Sequence, residues 1–305
     1  MAQRIALLLF SSTVALGCRH SPTTPPSRTY PSLGRKALKR PVARVSSRPP
    51  FLKGYIPIVM YHHIRNGKGP MFRTPVEFEK DLERFYRDGL RPVTVSQYLA
   101  NRMPIGPGAS PVALTFDDSN PSQLWIEKNG AVDPNCAVGI WMRFAKVHPD
   151  FPVRGTFYLL PGPFGQYEWI HTKIRLLRSL GCELGNHTYT HPILRKLSNA
   201  GVERELGRAE LFLERLGVKP PVTMAYPYGE MPGSKGPIRL GFNYKGRFIR
   251  FKAALLAGSE PAPPITSRKF NRIKIPRILA TSGEDGIDDW MDRVEAGKVK
   301  LYVEP

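Results

Sequence analysis

Val112-Ala113-Leu114-Thr115-Phe116-Asp117-Asp118 is an apolar run that ends on two adjacent carboxylates. Following the Gly/Pro-rich stretch at 104–108, it reads as a buried strand. Neighbouring residues at a strand end point to opposite sides, so Asp117 and Asp118 cannot easily share one job. One can ligand a metal while the other stays free to take a proton. About seventy residues on, Asn186-His187-Thr188-Tyr189-Thr190-His191 offers two imidazoles four positions apart. A carboxylate and two histidines fill three positions around a zinc-like cation and leave room for water and substrate, as hydrolytic metals require. Each piece has an ordinary alternative. Asp-Asp after a strand is commonly a helix cap or a solvated turn. The His pair departs from the zinc-protease helix, because Thr188 stands where that motif needs Glu and Pro192 takes His191 out of helical geometry. The pair therefore falls on a loop after the short strand Cys182-Glu183-Leu184-Gly185.

A third signature, Ala225-Tyr226-Pro227-Tyr228-Gly229, completes the set. With it the sequence resembles the polysaccharide deacetylases, the NodB-homology group of carbohydrate esterases (family 4), on Thr115-Phe116-Asp117-Asp118, the His-Thr-x-x-His segment and Tyr226-Pro227-Tyr228-Gly229 in matching order. Pro57-Ile58-Val59-Met60-Tyr61-His62, Gly155-Thr156-Phe157-Tyr158 and Ile275-Pro276-Arg277-Ile278 extend the likeness over 56–278. It is most similar to the poly-N-acetylglucosamine deacetylase branch. The resemblance implies Asp117 as general base, Asp118, His187 and His191 as metal ligands, and the Tyr228 backbone N–H at the oxyanion, with Tyr226 beside it on the substrate side. It implies one divalent metal, with Zn2+ first and Co2+, Ni2+ or Fe2+ as alternatives, and an irregular (β/α)7-type barrel. Two departures matter. Ala225 stands where many members carry an arginine that orients the base, and no histidine follows His191, so the usual C-terminal general acid is missing. Of the seven histidines, His62 matches the family's Met-Tyr-His and is the candidate acid.

Upstream, Arg4 precedes a thirteen-residue apolar run, 5–17, too short to span a bilayer but suited to a signal peptide. Gly17-Cys18 resembles a bacterial lipoprotein signal, which makes Cys18 a candidate lipidation site, with a plain secretory peptide as the alternative. Residues 18–52 form a Pro/Arg-rich tether: 19–50 hold seven prolines and no acid and cannot bury enough apolar surface to fold. The catalytic domain is read as 53–305. Thirteen Lys and Arg precede the first acid, Glu77, so most of the formal +20 lies in the leader, the tether and the start of the domain, and 20 − 13 leaves +7 for the rest. A basic arm beside a membrane suits anionic lipid or a wall polymer. Nothing resembles a recognition helix or a base-stacking motif, which argues against nucleic acid. The expected protein is an exported, membrane-anchored monomer of the cell envelope.

Within the domain, Thr74-Pro75-Val76-Glu77 is a capping box with Pro at the first helical position, followed by Phe78, Leu82 and Phe85 at helical spacing. Helices are expected over 137–147, 199–216 behind Ser198, and 288–295. Strands are expected over 222–226, 245–256, 273–279 and 299–303. Strands alternating with helices call for an α/β fold with a parallel sheet. Trp141 reads as core, while Trp125 is open between core and a sugar-stacking wall. Cys136 and Cys182 could form one disulfide in an exported protein, or remain buried thiols. The resulting expectation is a metal-dependent deacetylase acting on an N-acetylglucosamine-containing envelope polysaccharide. The alternatives are an O-acetyl esterase on a wall glycan, or a metal-containing sugar-binding lipoprotein without turnover.

Overall fold

The computed structural model describes residues 48–305. The 1–17 leader, Cys18 and nearly all of the tether lie outside the described residues. In chain order the elements are β1 (Ile58–Tyr61), β2 (His63–Ile64), β3 (Phe72–Arg73), α1 (Pro75–Arg87), β4 (Leu90–Pro92), α2 (Val95–Leu99), β5 (Ser110–Phe116), α3 (Ala137–Val147), β6 (Thr156–Leu159) and α4 (Ile170–Ser179). There follow β7 (Glu183–Asn186), α5 (Asn199–Arg215), β8 (Met224–Ala225), α6 (Gly236–Leu240), β9 (Phe242–Tyr244), β10 (Arg247–Ile249), β11 (Ala254–Leu255), β12 (Ile278–Leu279) and α7 (Ile287–Glu295).

The main sheet runs β11-β8-β7-β6-β5-β1-β12, with β4 attached to the start of β5. Every pairing in it is parallel. All seven residues of β5 are buried, as a parallel strand covered on both faces requires. The sheet curls into a partial barrel of the NodB-homology type. Its two edges are drawn together by one segment: Ile275 bridges to Leu255, and three residues later Ile278 pairs with Val59. A continuous strand over 273–279 is therefore not formed. The segment crosses from one edge to the other, and Arg277 sits at the crossing.

Sequence order explains the packing. Thr74 closes both halves of its capping box with Glu77, and Phe78, Leu82 and Phe85 of α1 are fully buried. Phe116 is the centre of the core, stacked between Tyr61 at 5.4 Å and Phe157 at 4.6 Å. Trp141 on α3 closes that cluster from outside and is fully buried, as expected.

Three further readings need correction. The tether ends before 52, because Arg48 donates to Gly89 O, Gly108 O and Ser110 Oγ, and Phe51 pairs with Val303. The 245–256 strand is instead one arm of the β9–β10 hairpin and the separate β11. The 299–303 stretch makes only isolated bridges, Leu301 to Tyr55 and Val303 to Phe51. Of the two alternatives open for Cys136 and Cys182, the structure has the second: both are free, buried thiols. Cys136 accepts from Gly139 N as the cap of α3, and Cys182 lies at the foot of β7, where burial pushes its thiol up to about 12. Among the described residues no helix is long and apolar enough to cross a membrane.

Phe116→Ala should remove about 3–5 kcal/mol of stability by opening a cavity between two stacked rings. Urea denaturation of the variant checks this, and a loss below 1 kcal/mol would contradict the central place of this ring.

Candidate active site

The C-terminal ends of the parallel strands converge on one face, where barrels of this kind gather reactive side chains. From β5 comes Asp117, still extended from the strand, and then Asp118, whose φ of 68° turns its side chain away. From β7 come His187 and, past a left-handed Thr188 (φ 68°), His191, itself at φ 55°. Positive φ is costly for residues with a Cβ and persists only where the surroundings hold it.

Asp118, His187 and His191 offer one ligand atom each, all within 4.8 Å of one another. Asp118 Oδ1 lies 3.2 Å from His187 Nε2 and 3.3 Å from His191 Nε2. Asp118 Oδ1 and His187 Nε2 are buried, yet neither makes a hydrogen bond of acceptable geometry. Buried polar atoms are rarely left without a partner, and a carboxylate oxygen facing two imidazole nitrogens is a donor set that could hold a divalent cation. His187 Nδ1 lies 2.9 Å from Ala225 O. Donation from Nδ1–H to that carbonyl fixes the tautomer and presents the Nε2 lone pair to a metal.

Asp117 is 2% exposed and faces Arg277, which is fully buried. Nη1 donates to Oδ1 and Nη2 to Oδ2, each at 2.7 Å. Burial alone would raise the Asp117 pKa, but the guanidinium, with its charge and paired donors, outweighs it, and His187 and His62 add to the pull. The carboxyl is held well below the ordinary carboxylate range. Arg277 spends its other donors on Leu256 O at 2.7 Å and Thr115 Oγ1 at 3.1 Å. Asp117 Oδ2 stands 3.9 Å from His187 Nε2, beside the ligand set.

Arg277 is the functional residue the sequence reading missed. The Ile275–Ile278 match marked its segment without giving it a role, and the arginine was sought at 225 instead. Gln123 was missed too. Its Nε2 donates to His62 O and Asp117 O, tying the ends of β1 and β5 together under the site.

His62 follows β1 into the same field of charge, and its Nδ1 is buried without a partner. Burial lowers its pKa more than Asp117 and Asp118 raise it, so it titrates below a free imidazole rather than close to it. Burial also lowers His191, whereas His187 is raised because Asp117, Asp118 and the Ala225 carbonyl outweigh its desolvation.

Tyr228 is 63% exposed, at φ 56°, with its ring 4.8 Å from that of His191. Gly229 allows this turn, since at φ 68° a Cβ there would strike Ala257. Tyr226 does not face the substrate side: it is buried, and its hydroxyl donates to Ile273 O at 3.1 Å. Trp125 packs against the core with the Lys173 ammonium 5.3 Å from its ring centroid, so that face is already taken.

The polysaccharide deacetylase family model matches residues 105–235, the span that carries both aspartates, both histidines and Tyr228. No curated protein matches the sequence. Among solved structures, a polysaccharide deacetylase from Bacillus cereus is similar with a TM-score of 0.55 at 18% identity, over 79% of this chain and 69% of that one. The Streptococcus pyogenes deacetylase PplD, solved with acetate, is similar with a TM-score of 0.54 at 17% identity, over 79% of this chain and 98% of that one. At such identities the likeness speaks for the fold, which is the one the sheet order and strand-end motifs describe. Residues 105–235 thus match a polysaccharide deacetylase domain, carried on a fold of the NodB-homology type.

Proposed function

We propose that this protein is a metal-dependent N-deacetylase of an envelope or extracellular polysaccharide that contains N-acetylglucosamine. One observation carries the reading: a buried, arginine-clamped Asp117 standing 3.9 Å from His187, in an Asp118/His187/His191 set whose Asp118 Oδ1 and His187 Nε2 have no hydrogen-bond partner. A binding module needs the ligand set but has no use for an ionised carboxylate held beside it. Arg277 also supplies the arginine whose absence at 225 would favour such a module.

Asp118, His187 and His191 would hold the cation, and the mixed nitrogen and oxygen donors suit Zn2+ first. When bound, such an ion acidifies water and polarises a carbonyl. Asp117 takes the proton of the attacking water. A carboxylate with so depressed a pKa is a weak base, which suits it only to a water that a bound cation would acidify. In return it is always ionised, and the guanidinium fork fixes its orientation. The Tyr228 N–H donates to the developing oxyanion. His62 gives its proton to the nitrogen as the C–N bond breaks, so amide and water become amine and acetate. Exposed Tyr228 offers its ring face to a sugar. Upstream, we hold to export and lipid anchoring at Cys18, with the basic tether lying against anionic lipid.

Asp117→Asn should keep full metal content while kcat falls about 10²–10⁴-fold, and Asp118→Ala should lose the metal. Elemental analysis with acetate release from N-acetylglucosamine oligomers reads both, and the reverse pattern would exchange the two roles. Arg277→Lys keeps the charge but loses the fork, so kcat should fall roughly 10²-fold through misaim of Asp117 with little change in metal content. Turnover equal to wild type would reduce Arg277 to a structural residue.

The pH profile tests His62. As the acid it must be protonated, so activity should fall as pH rises through its lowered pKa, giving an alkaline limb on the acid side of free imidazole. His62→Ala should remove that limb and spare an activated ester, whose leaving group needs no proton. An unchanged limb in the variant would leave the acid elsewhere.

A further inference from the structure

Between His187 and His191 the chain has no secondary structure, so the N–H groups of residues 188–191 have no ladder to join. Each is met by a side chain. Thr188 N–H donates to Asn186 Oδ1 at 2.8 Å, and His191 N–H donates to Thr188 Oγ1 at 3.1 Å. The two in the middle, Tyr189 N–H and Thr190 N–H, both donate to one oxygen, Oε2 of Glu205, at 3.2 and 2.8 Å. Glu205 belongs to α5 and is 8% exposed. The same helix holds the start of the loop as well, for Asn186 Nδ2 donates to Leu206 O at 3.2 Å and to Glu210 Oε1 at 2.8 Å.

This pattern has a local cause. Both Thr188 and His191 sit in the left-handed region, a conformation that costs of order 1 kcal/mol or more per residue and reverts unless it is over-determined. A single carboxylate oxygen accepting two consecutive N–H groups at the midpoint sets the path of the chain between the two imidazoles. Such charge-assisted bonds are about twice as strong as neutral ones.

We propose that Glu205 is a positioning residue for the metal site: it clamps the loop between His187 and His191 and so holds the two imidazoles, whose ring centroids lie 4.9 Å apart, in the arrangement that a cation needs. The proposal rests on the reading of Asp118, His187 and His191 as ligands. It adds to that reading a residue that touches neither metal nor substrate, on an element outside the strand-end motifs.

The test is Zn2+ affinity of the purified full chain, measured by competition with a chromophoric chelator, together with the visible spectrum of the Co2+ form and the melting temperature after chelation. Glu205→Ala should weaken Zn2+ binding roughly 10- to 100-fold, the range for residues that orient ligands without touching the ion. It should alter the Co2+ spectrum, and activity should return substantially at saturating Zn2+. Glu205→Gln keeps an acceptor oxygen and should recover most of the affinity. If the alanine variant does not fold, Glu205→Asp carries the test, since one methylene less cannot reach both N–H groups. Wild-type affinity and spectrum with a lowered melting temperature of the metal-free protein would overturn the clamp alone. A wild-type chain that binds no divalent ion would sink the ligand reading, and the clamp with it.

Discussion

The Arg277–Asp117 pair is the constraint around which the barrel closes. Neither charge has access to water, and desolvating two ions costs several kcal/mol each unless geometry and further hydrogen bonds return it. Here they do so through two parallel donors at 2.7 Å and further bonds to Leu256 O and Thr115 Oγ1. Those acceptors belong to opposite parts of the sheet, so one guanidinium ties the centre of the barrel to its edge. Stability alone does not explain such a pair, since well-packed apolar residues of equal volume would serve as well. An ionised carboxylate in a fixed orientation beside Asp118, His187 and His191 is something no apolar pair can supply.

The division of labour between Asp117 and Asp118 follows from one backbone turn. Asp117 keeps the strand's extended path and points into the barrel, while Asp118 at φ 68° leaves it and faces the histidines. Left-handed residues recur at Thr188, His191 and Tyr228, all at strand ends on the same face. Backbone strain is thus concentrated where ligand atoms must converge, and the cost is met by side-chain bonds from Gln123, Asn186, Thr188 and Glu205.

What was legible in the sequence is local. The capping box at 74–77 located the start of α1, the Ser198 cap located α5, and 137–147 reads as the helix α3 that forms there, because the signals for a helix lie side by side in the chain. The strand-end motifs named Asp118, His187 and His191, which the fold brings within 4.8 Å of one another, because each motif is contiguous. What was not legible depends on contacts far apart in sequence. Arg277 meets an aspartate 160 residues away, and nothing in its own neighbourhood announces the partner. Glu205 looks like any acid on an amphipathic helix until the loop it holds is seen beside it. The misread strands at 245–256 and 273–279 share this cause. Apolar runs with β-branched residues mark burial, whereas the pairing partner decides whether a run stays one strand, folds into a hairpin or crosses between edges.

Ala225 makes the same point in reverse. From the sequence, an alanine where related enzymes carry an arginine reads as a loss. In the structure, Ala225 lies in the buried cluster that includes Tyr158 and Ile275, and the Arg277 guanidinium lies 5.7 Å from the centre of the Tyr158 ring. A guanidinium brought in from 225 would approach the same buried carboxylate that Arg277 already neutralises. Two cations on one anion, with no water to screen them, would leave a net buried charge costing several kcal/mol. The small side chain at 225 therefore belongs with the arginine at 277, while its carbonyl keeps the separate task of holding His187 Nδ1. The cation that neutralises Asp117 thus comes from Arg277, and position 225 needs none.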